Sequence, residues 1–451
     1  MESLNNVGKS NVLSKRGMRI KNDSTILEIG LQKCLDNGYS DSNPKGIINA
    51  GTSENTLSHD IVAEKLSQVE SPYLDDPDIL KYKDFTGMRT FKNTLCSFLT
   101  KYANAHEQLN PDNMVILNGC GSCVAALSIV LCDPGDVLLI PSPFYNAINT
   151  MTGRIPLVNL VHVDIGCQVK CIFRELQNDI LAIQNNNSPI QRADNKHKLH
   201  VILDEIYMFT VFDEKTQFTS VLSLDDLPDP DRTHFIWGFS KDFCMSSLRC
   251  GAIYTWNKQV VSALGGVAYW FSVPTAIQFT VDRLLADEEW VADTYLPTNR
   301  KRLKDAHEVM SKGLTQLGIP HRVRSAGLYI WADFRKFVSP LTFEAELEMF
   351  YELIDAGVYI PAGQCFYCQE PGWFRIIFAL SKETQRLGIC THVYGGIDAE
   401  RNRPTTGDCV VTRHVKEYVY AMEEQECNRV NRPLIAALPQ CVQSFDEEIF
   451  K

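Results

Sequence analysis

The chain has 451 residues, 45% of them hydrophobic and 22% charged, the balance of a folded enzyme-sized protein rather than a disordered or fibrous one. Its net charge of −11 excludes a general nucleic-acid or anionic-membrane binder, and no apolar run is long enough to cross a bilayer. Fifteen scattered cysteines, with no basic-then-apolar N-terminal stretch, give the expectation of free thiols in a cytoplasmic protein.

Residues 1–45 are polar and read as an arm with a short helix near 25–35. Residues 46–89 alternate short apolar runs with turns. A regular alternation then begins: a strand over 114–117, a turn at Asn118-Gly119-Cys120-Gly121-Ser122, a helix over 124–131 and a strand over 137–141. This pattern predicts an α/β fold with a mainly parallel sheet. Further on, Leu303, Ala306, Met310, Leu314 and Leu317 step by three and four before Gly318. Phe343, Leu347, Phe350, Tyr351 and Ile354 do the same between Thr342 and Gly357, and both runs are core-facing helices. Between them, 327–333 alternates as a half-buried strand. The expected organisation is a large domain over 90–295 and a smaller α+β domain built from 46–89 and 296–388. Residues 389–451 form a divergent tail.

Two C-x-x-C pairs, Cys120/Cys123 and Cys365/Cys368, lie more than 200 residues apart with no histidines at finger spacing. They read as small buried residues rather than zinc ligands, and no metal is expected.

The chemistry concentrates in Ser240-Lys241-Asp242-Phe243-Cys244-Met245-Ser246-Ser247-Leu248-Arg249-Cys250-Gly251 and in the upstream strand Val201-Ile202-Leu203-Asp204-Glu205-Ile206-Tyr207. A lysine after Ser240, an arginine eight positions later and an acidic strand end form the layout that holds pyridoxal 5'-phosphate (PLP). Lys241 would form the Schiff base and Arg249 would grip the phosphate with its donor fork. Asp204 would keep the pyridine nitrogen protonated, and Tyr207 would donate to the ring hydroxyl oxygen.

From about residue 14 to 388 the chain resembles the fold-type I PLP enzymes of the class I/II aminotransferase group. Within that group it is similar to the 1-aminocyclopropane-1-carboxylate (ACC) synthase-like proteins, more to the animal branch than to the plant enzymes. The resemblance is carried by Asn43-Pro44-Lys45-Gly46-Ile47-Ile48-Asn49-Ala50-Gly51-Thr52-Ser53-Glu54-Asn55, Leu227-Pro228-Asp229-Pro230-Asp231-Arg232-Thr233-His234, the 240–251 stretch, and Glu370-Pro371-Gly372-Trp373-Phe374-Arg375. It implies a large three-layer α/β/α domain plus a small α+β domain. It also implies roles for individual residues. Gly121 and Ser122 would cradle the phosphate, with Ser240 beside them. Tyr145 would stack on the pyridine ring. Tyr82 would reach the cofactor of a neighbouring subunit, which makes the protein a homodimer. Arg375 would hold the substrate α-carboxylate, and Glu54 would line the substrate pocket.

The implied function is PLP-dependent transformation of an amino acid or keto acid, with transamination as the default. An ACC synthase-type elimination or a β-lyase reaction is the alternative, and an inactive homologue acting as a binding protein is a third reading. Three departures bear on the choice, one of them the break of the helix pattern after Gly388, where the small domain should finish. The family's Asn-Pro-x-Gly loop, whose asparagine bonds the ring hydroxyl oxygen, is missing between Ile183 and Leu199, together with the strand and helix around it. That loss predicts a gap in the sheet and weak PLP affinity. In addition, Gly238 stands where many relatives carry a phosphate-binding serine.

Overall fold

The computed structural model describes residues 12–69, 77–164, 199–381 and 384–385. In chain order the elements are α1 (Lys15–Asn22), α2 (Ile26–Asp36), β1 (Ile48–Asn49), α3 (His59–Ser67), α4 (Arg89–Tyr102), β2 (Met114–Leu117), α5 (Cys120–Leu131), β3 (Val137–Ser142), α6 (Ala147–Gly153) and β4 (Asn159–Asp164). There follow β5 (Val201–Asp204), β6 (Thr233–Gly238), α7 (Phe239–Asp242), β7 (Gly251–Thr255), α8 (Lys258–Phe271), α9 (Thr275–Ala286), α10 (Leu296–Gln316), β8 (Tyr329–Asp333), α11 (Phe343–Asp355), β9 (Val358–Tyr359) and β10 (Trp373–Ile377).

The central sheet runs β2-β7-β6-β5. β7 pairs antiparallel with both β2 and β6, and β5 pairs parallel with β6, so one reversed strand sits among strands that share a direction. β2, β6 and β7 are buried along their whole length, as strands covered by helices on both faces must be. Their side chains feed two cores. One holds Phe91, Phe98, Trp237, Phe239 and Phe243; the other packs Val115, Leu127, Ile253 and Leu264 on the opposite face. A separate pair, β3 and β4, is parallel. Among the described residues β5 is therefore paired on one side only, and so is β3, which leaves Val137 53% and Leu139 57% exposed. The sheet gap expected from the missing segment falls between β4 and β5, where residues 165–198 lie outside the described residues. Most of 184–199 itself lies outside the described residues, as does the 389–451 tail.

The smaller unit has its own core, in which Leu303, Met310 and Leu314 of α10 meet Phe350 and Ile354 of α11. Both helices carry the stripe that the sequence spacing predicted. β8 pairs antiparallel with β10, and β1 pairs parallel with β9, which ties the segment after residue 46 to this unit. Thr25 caps α2 through a reciprocal box with Glu28.

Eight cysteines among the described residues are free, including Cys120, Cys123 and Cys365. Cys368 departs from the all-thiol expectation and is disulfide-bonded, because compartment arguments do not see which sulfurs a fold brings together. Burial drives the thiols of Cys120 and Cys123 well above their ordinary range, so neither is a nucleophile.

At the outer end of β5 and β6, His200 Nδ1 and His234 Nε2 lie 2.9 Å apart, and His234 Nδ1 meets Thr255 Oγ1 at 2.8 Å. One proton is shared, and a second would set two charges side by side. Burial, with His200 alongside, lowers His234 to about 4 from 6.5. The unfolded chain then binds more protons between those values. Stability is complete above pH 6.5 and falls as pH drops toward 4. Urea unfolding across that window should show this slope, and His234→Gln should flatten it; an unchanged slope would remove the pair from the acid response.

Candidate active site

β6 ends at Gly238 and the chain turns at once into α7, which carries Lys241. That short helix is fixed by its neighbour Asp242. The buried carboxylate accepts from Trp237 Nε1 at 2.7 Å and from the Phe209 amide at 3.2 Å, and the Asp242 carbonyl accepts from Tyr295 Oη at 2.7 Å. Gly238 has no room for a side chain. A Cβ there would sit 2.9 Å from both Cys120 Sγ and the Cys250 carbonyl. A serine at this position would collide, so the glycine belongs to the packing of this strand and is more than a lost phosphate ligand.

Lys241 Nζ donates to the Ser53 carbonyl. Burial lowers its ammonium to about 8 from 10.5; the nearby Glu54 charge opposes that shift, and Arg375 adds to it. Asp204 closes β5, and its Oδ1 accepts from the Ile206 amide at 3.3 Å. The residue is exposed at the strand end, yet protein crowds its carboxyl, and desolvation pushes it up to about 6, with Lys241 pulling the other way. Tyr207 Oη donates to Ser53 Oγ at 3.4 Å, and burial raises its phenol. Ser53 therefore bonds Lys241 through its carbonyl and Tyr207 through its hydroxyl.

Arg375 lies in the middle of β10 and is buried. Its Nη2 donates to the Gly51 carbonyl at 2.7 Å, and its guanidinium sits 4.2 Å above the Phe366 ring and 5.4 Å from that of Tyr329. Its Nε has no partner, and among the described residues no carboxylate pairs with it. A buried cation with an open donor and no counter-charge is suited to pair with an anion. The frame that holds both cations is an Asx turn, in which Asn49 Oδ1 accepts from the amides of Gly51 at 3.1 Å and Thr52 at 2.9 Å.

The N-terminus of α5 is a second place where donors suited to an anion come together. Gly119, at φ 99°, leads into the helix, and no side chain caps it. Arg249 donates to the carbonyls of Ser246 at 3.0 Å and Asn118 at 3.4 Å, which lays its guanidinium across the turn. A Cβ on Gly119 would fall 2.4 Å from Arg249 Nη2. One on Gly251 would fall 2.8 Å from the Gly119 backbone. Only glycine permits this approach of arginine, strand and helix end, and it brings a guanidinium beside the positive end of the helix. Gly121 and Ser122 lie in the first turn of the helix, not in a loop before it, and the Ser122 amide is engaged by the Gly119 carbonyl at 3.0 Å. Ser240 is buried on α7 beside Lys241, with its carbonyl accepting from Ser246 Oγ. The cradle, the acid at Asp204 and the amine of Lys241 fit PLP.

Tyr145 follows β3, and its side chain is 52% exposed near Tyr207. Tyr82 is not gathered into the group. It is 92% exposed, and its aromatic neighbour is Phe85. Glu54 is exposed beside Lys241.

The model of the aminotransferase class I and II family matches residues 45–392. The chain belongs to this family. A curated relative from Mus musculus, the 1-aminocyclopropane-1-carboxylate synthase-like protein 1, is 37% identical over 413 residues, spanning 84% of this chain and 82% of the relative. The probable inactive 1-aminocyclopropane-1-carboxylate synthase-like protein 2 of the same organism is 38% identical over 376 residues, 76% of this chain and 65% of that one. Among solved structures, the aspartate aminotransferase of Thermus thermophilus with maleate superposes with a TM-score of 0.65 at 18% identity, covering 84% of this chain and 97% of that one. The fold is thus the fold-type I aminotransferase fold.

Sequence reasoning missed Gly51, Ser53 and Asn118, which act through backbone carbonyls. The signal for the first two was the Asn49 turn, legible as Asn-x-Gly-Thr, although only Glu54 was singled out there.

Proposed function

We propose that the protein is a PLP-dependent enzyme that moves the amino group of an amino acid to a keto acid. One observation carries the reading: Lys241 and Arg375 both donate to carbonyls of a single turn, at Ser53 and Gly51, so the base and the carboxylate grip share one frame. Arg375 takes the substrate carboxylate on its open Nε edge. Arg249 and the uncapped end of α5 take the phosphate. Asp204 holds a proton at the pyridine nitrogen, and Tyr207 donates to the ring oxygen. Bound PLP supplies an electron sink conjugated to the substrate α-carbon. Lys241, with its amine neutral above about pH 8, removes and returns the α-proton.

An elimination of the ACC synthase kind or a β-lyase reaction uses the same residues, and the fold does not choose between them. The inactive reading is favoured by the one-sided pairing of β5 and β3 among the described residues and by the relative named probable inactive. Adding PLP should give a protein with visible absorbance that borohydride bleaches, and Asp204→Asn should lose more turnover than Asp204→Glu. A colourless protein that retains no PLP would decide for the binding-protein reading.

The enzyme we propose is a homodimer. Tyr82 and Trp270 are largely exposed, and Phe85 and Tyr269 join them in one aromatic patch, with the Phe85 and Tyr269 rings 5.2 Å apart. Inactive Lys241→Ala and Tyr82→Ala proteins, mixed, should regain about a quarter of wild-type activity by forming one intact site in each hybrid dimer. A monomer by light scattering, with no rescue on mixing, would refute the shared site.

A further inference from the structure

Tyr367 is a bulky residue held at φ 60° and ψ 32°, a left-handed conformation that glycine or asparagine usually takes. Its turn belongs to the smaller unit, yet its contacts reach across to the loop after β3. Its ring stacks on Phe144 at 4.7 Å with 7° between planes. Its hydroxyl accepts from Asn149 Nδ2 at 2.6 Å, and its carbonyl accepts from Ser142 Oγ at 3.0 Å. The preceding carbonyl, of Phe366, accepts from the Phe144 amide at 2.9 Å. On one side of this contact, Phe144 is followed directly by Tyr145. On the other, Phe366 is the ring beneath Arg375.

We infer that Tyr367 is a latch that makes the placement of Tyr145 and the placement of Arg375 a single rigid arrangement, and so acts as a positioning residue for both ends of the site. The left-handed backbone supports this. It turns the Tyr367 ring out of its own unit and onto Phe144, where the stack and the Asn149 bond hold it, while the carbonyls of Phe366 and Tyr367 tie the turn itself to Phe144 and Ser142. Glu346 of α11 anchors the same turn from behind, accepting from the amides of Gln364 at 2.9 Å and Gly372 at 2.5 Å, so the latch is braced against the unit that carries Arg375. The consequence is reciprocal. A change on one side of the latch must be felt by the ligand on the other side.

The inference rests on the PLP reading for one of its two ligands only. The test titrates PLP alone, and separately pyruvate alone onto the cofactor-free protein, by calorimetry, with Arg375→Lys as the control that locates pyruvate. Tyr367→Phe keeps the ring and loses the Asn149 bond; it should weaken PLP binding roughly 5-fold although Tyr367 lies on the other unit. Asn149→Ala, on the large unit, should weaken pyruvate binding by about the same factor. The double variant should be no worse than either single one, because both remove one interaction. If each variant affects only the ligand of its own unit, or lowers the melting temperature with both affinities unchanged, the latch is purely structural and the inference is overturned. If wild-type protein takes up no PLP, the functional reading fails while the pyruvate arm still decides the latch.

Discussion

Lys241→Ala is expected to abolish PLP fixed by borohydride on the peptide containing residue 241. It should also lower turnover by roughly 10²–10⁴-fold, the range for loss of a positioned base. The expectation follows from placement. Asp242 pins α7 through three hydrogen bonds, so the lysine beside it has one direction to point, toward the Ser53 carbonyl. The pH dependence follows from burial. Desolvation disfavours the ammonium and brings it to about 8. Only the neutral amine attacks a carbonyl. About a tenth of the lysine is neutral at pH 7 and about nine-tenths at pH 9, so the rate of PLP capture should rise nearly 10-fold between them. The stability sign is the opposite of a salt bridge: the folded protein carries a cost below pH 8 that fades as pH rises toward 10.5. Label on another lysine, or a flat capture rate from pH 7 to 9, would remove Lys241 from the role.

The side-chain chemistry of the site was legible because it is written in residue types at fixed spacings. Lys241, Tyr207 and Arg375 converge on Gly51 and Ser53, Asp204 feels the Lys241 charge, and Arg249, eight residues from that lysine, crosses the Gly119 turn. What escaped has a common cause. Ser53 and Gly51 work through carbonyls, which every residue possesses. The function of Gly238 is a close approach to Cys120 and Cys250, which stand apart from it in sequence and meet it only in the fold. Element boundaries moved for the same reason. The helix expected from 124 begins at Cys120, since Gly119 supplies the turn and the next three residues already wind. The strand expected through Tyr207 stops at Asp204, because its carboxylate bonds the Ile206 amide and turns the chain. α1 was read as arm: its face is polar and it buries no side chain, so it leaves no apolar stripe to find. Tyr82 was assigned by resemblance to a neighbouring subunit, and a single chain leaves it at the surface.

The second large effect concerns the sheet. A fold-type I large domain needs a continuous sheet with helices on both faces, and here β5 meets β6 alone while β3 meets β4 alone among the described residues. The cost is visible in burial. β6 and β7 are buried at every position, whereas β5 is half-buried to exposed, and Val137 and Leu139 of β3 stand more than half exposed. An unpaired parallel strand forfeits about 1 kcal/mol for each ladder bond it lacks. Four residues of β5 make that about 4 kcal/mol, before any apolar face is covered. Inserting a relative's strand, Asn loop and helix after Ile183 should therefore raise the melting temperature by roughly 10 °C. The restored asparagine should tighten PLP by about 5-fold through one neutral hydrogen bond. The two readouts separate two causes. A gain in melting temperature without a gain in affinity would mean that the sheet was incomplete but the site was not. A gain in neither would mean that this chain closes its sheet by other means, and the inactive reading would lose its structural support. A gain in both, with activity appearing only in the insertion variant, would place the present chain among binding proteins that keep an enzyme's site without its supporting strand.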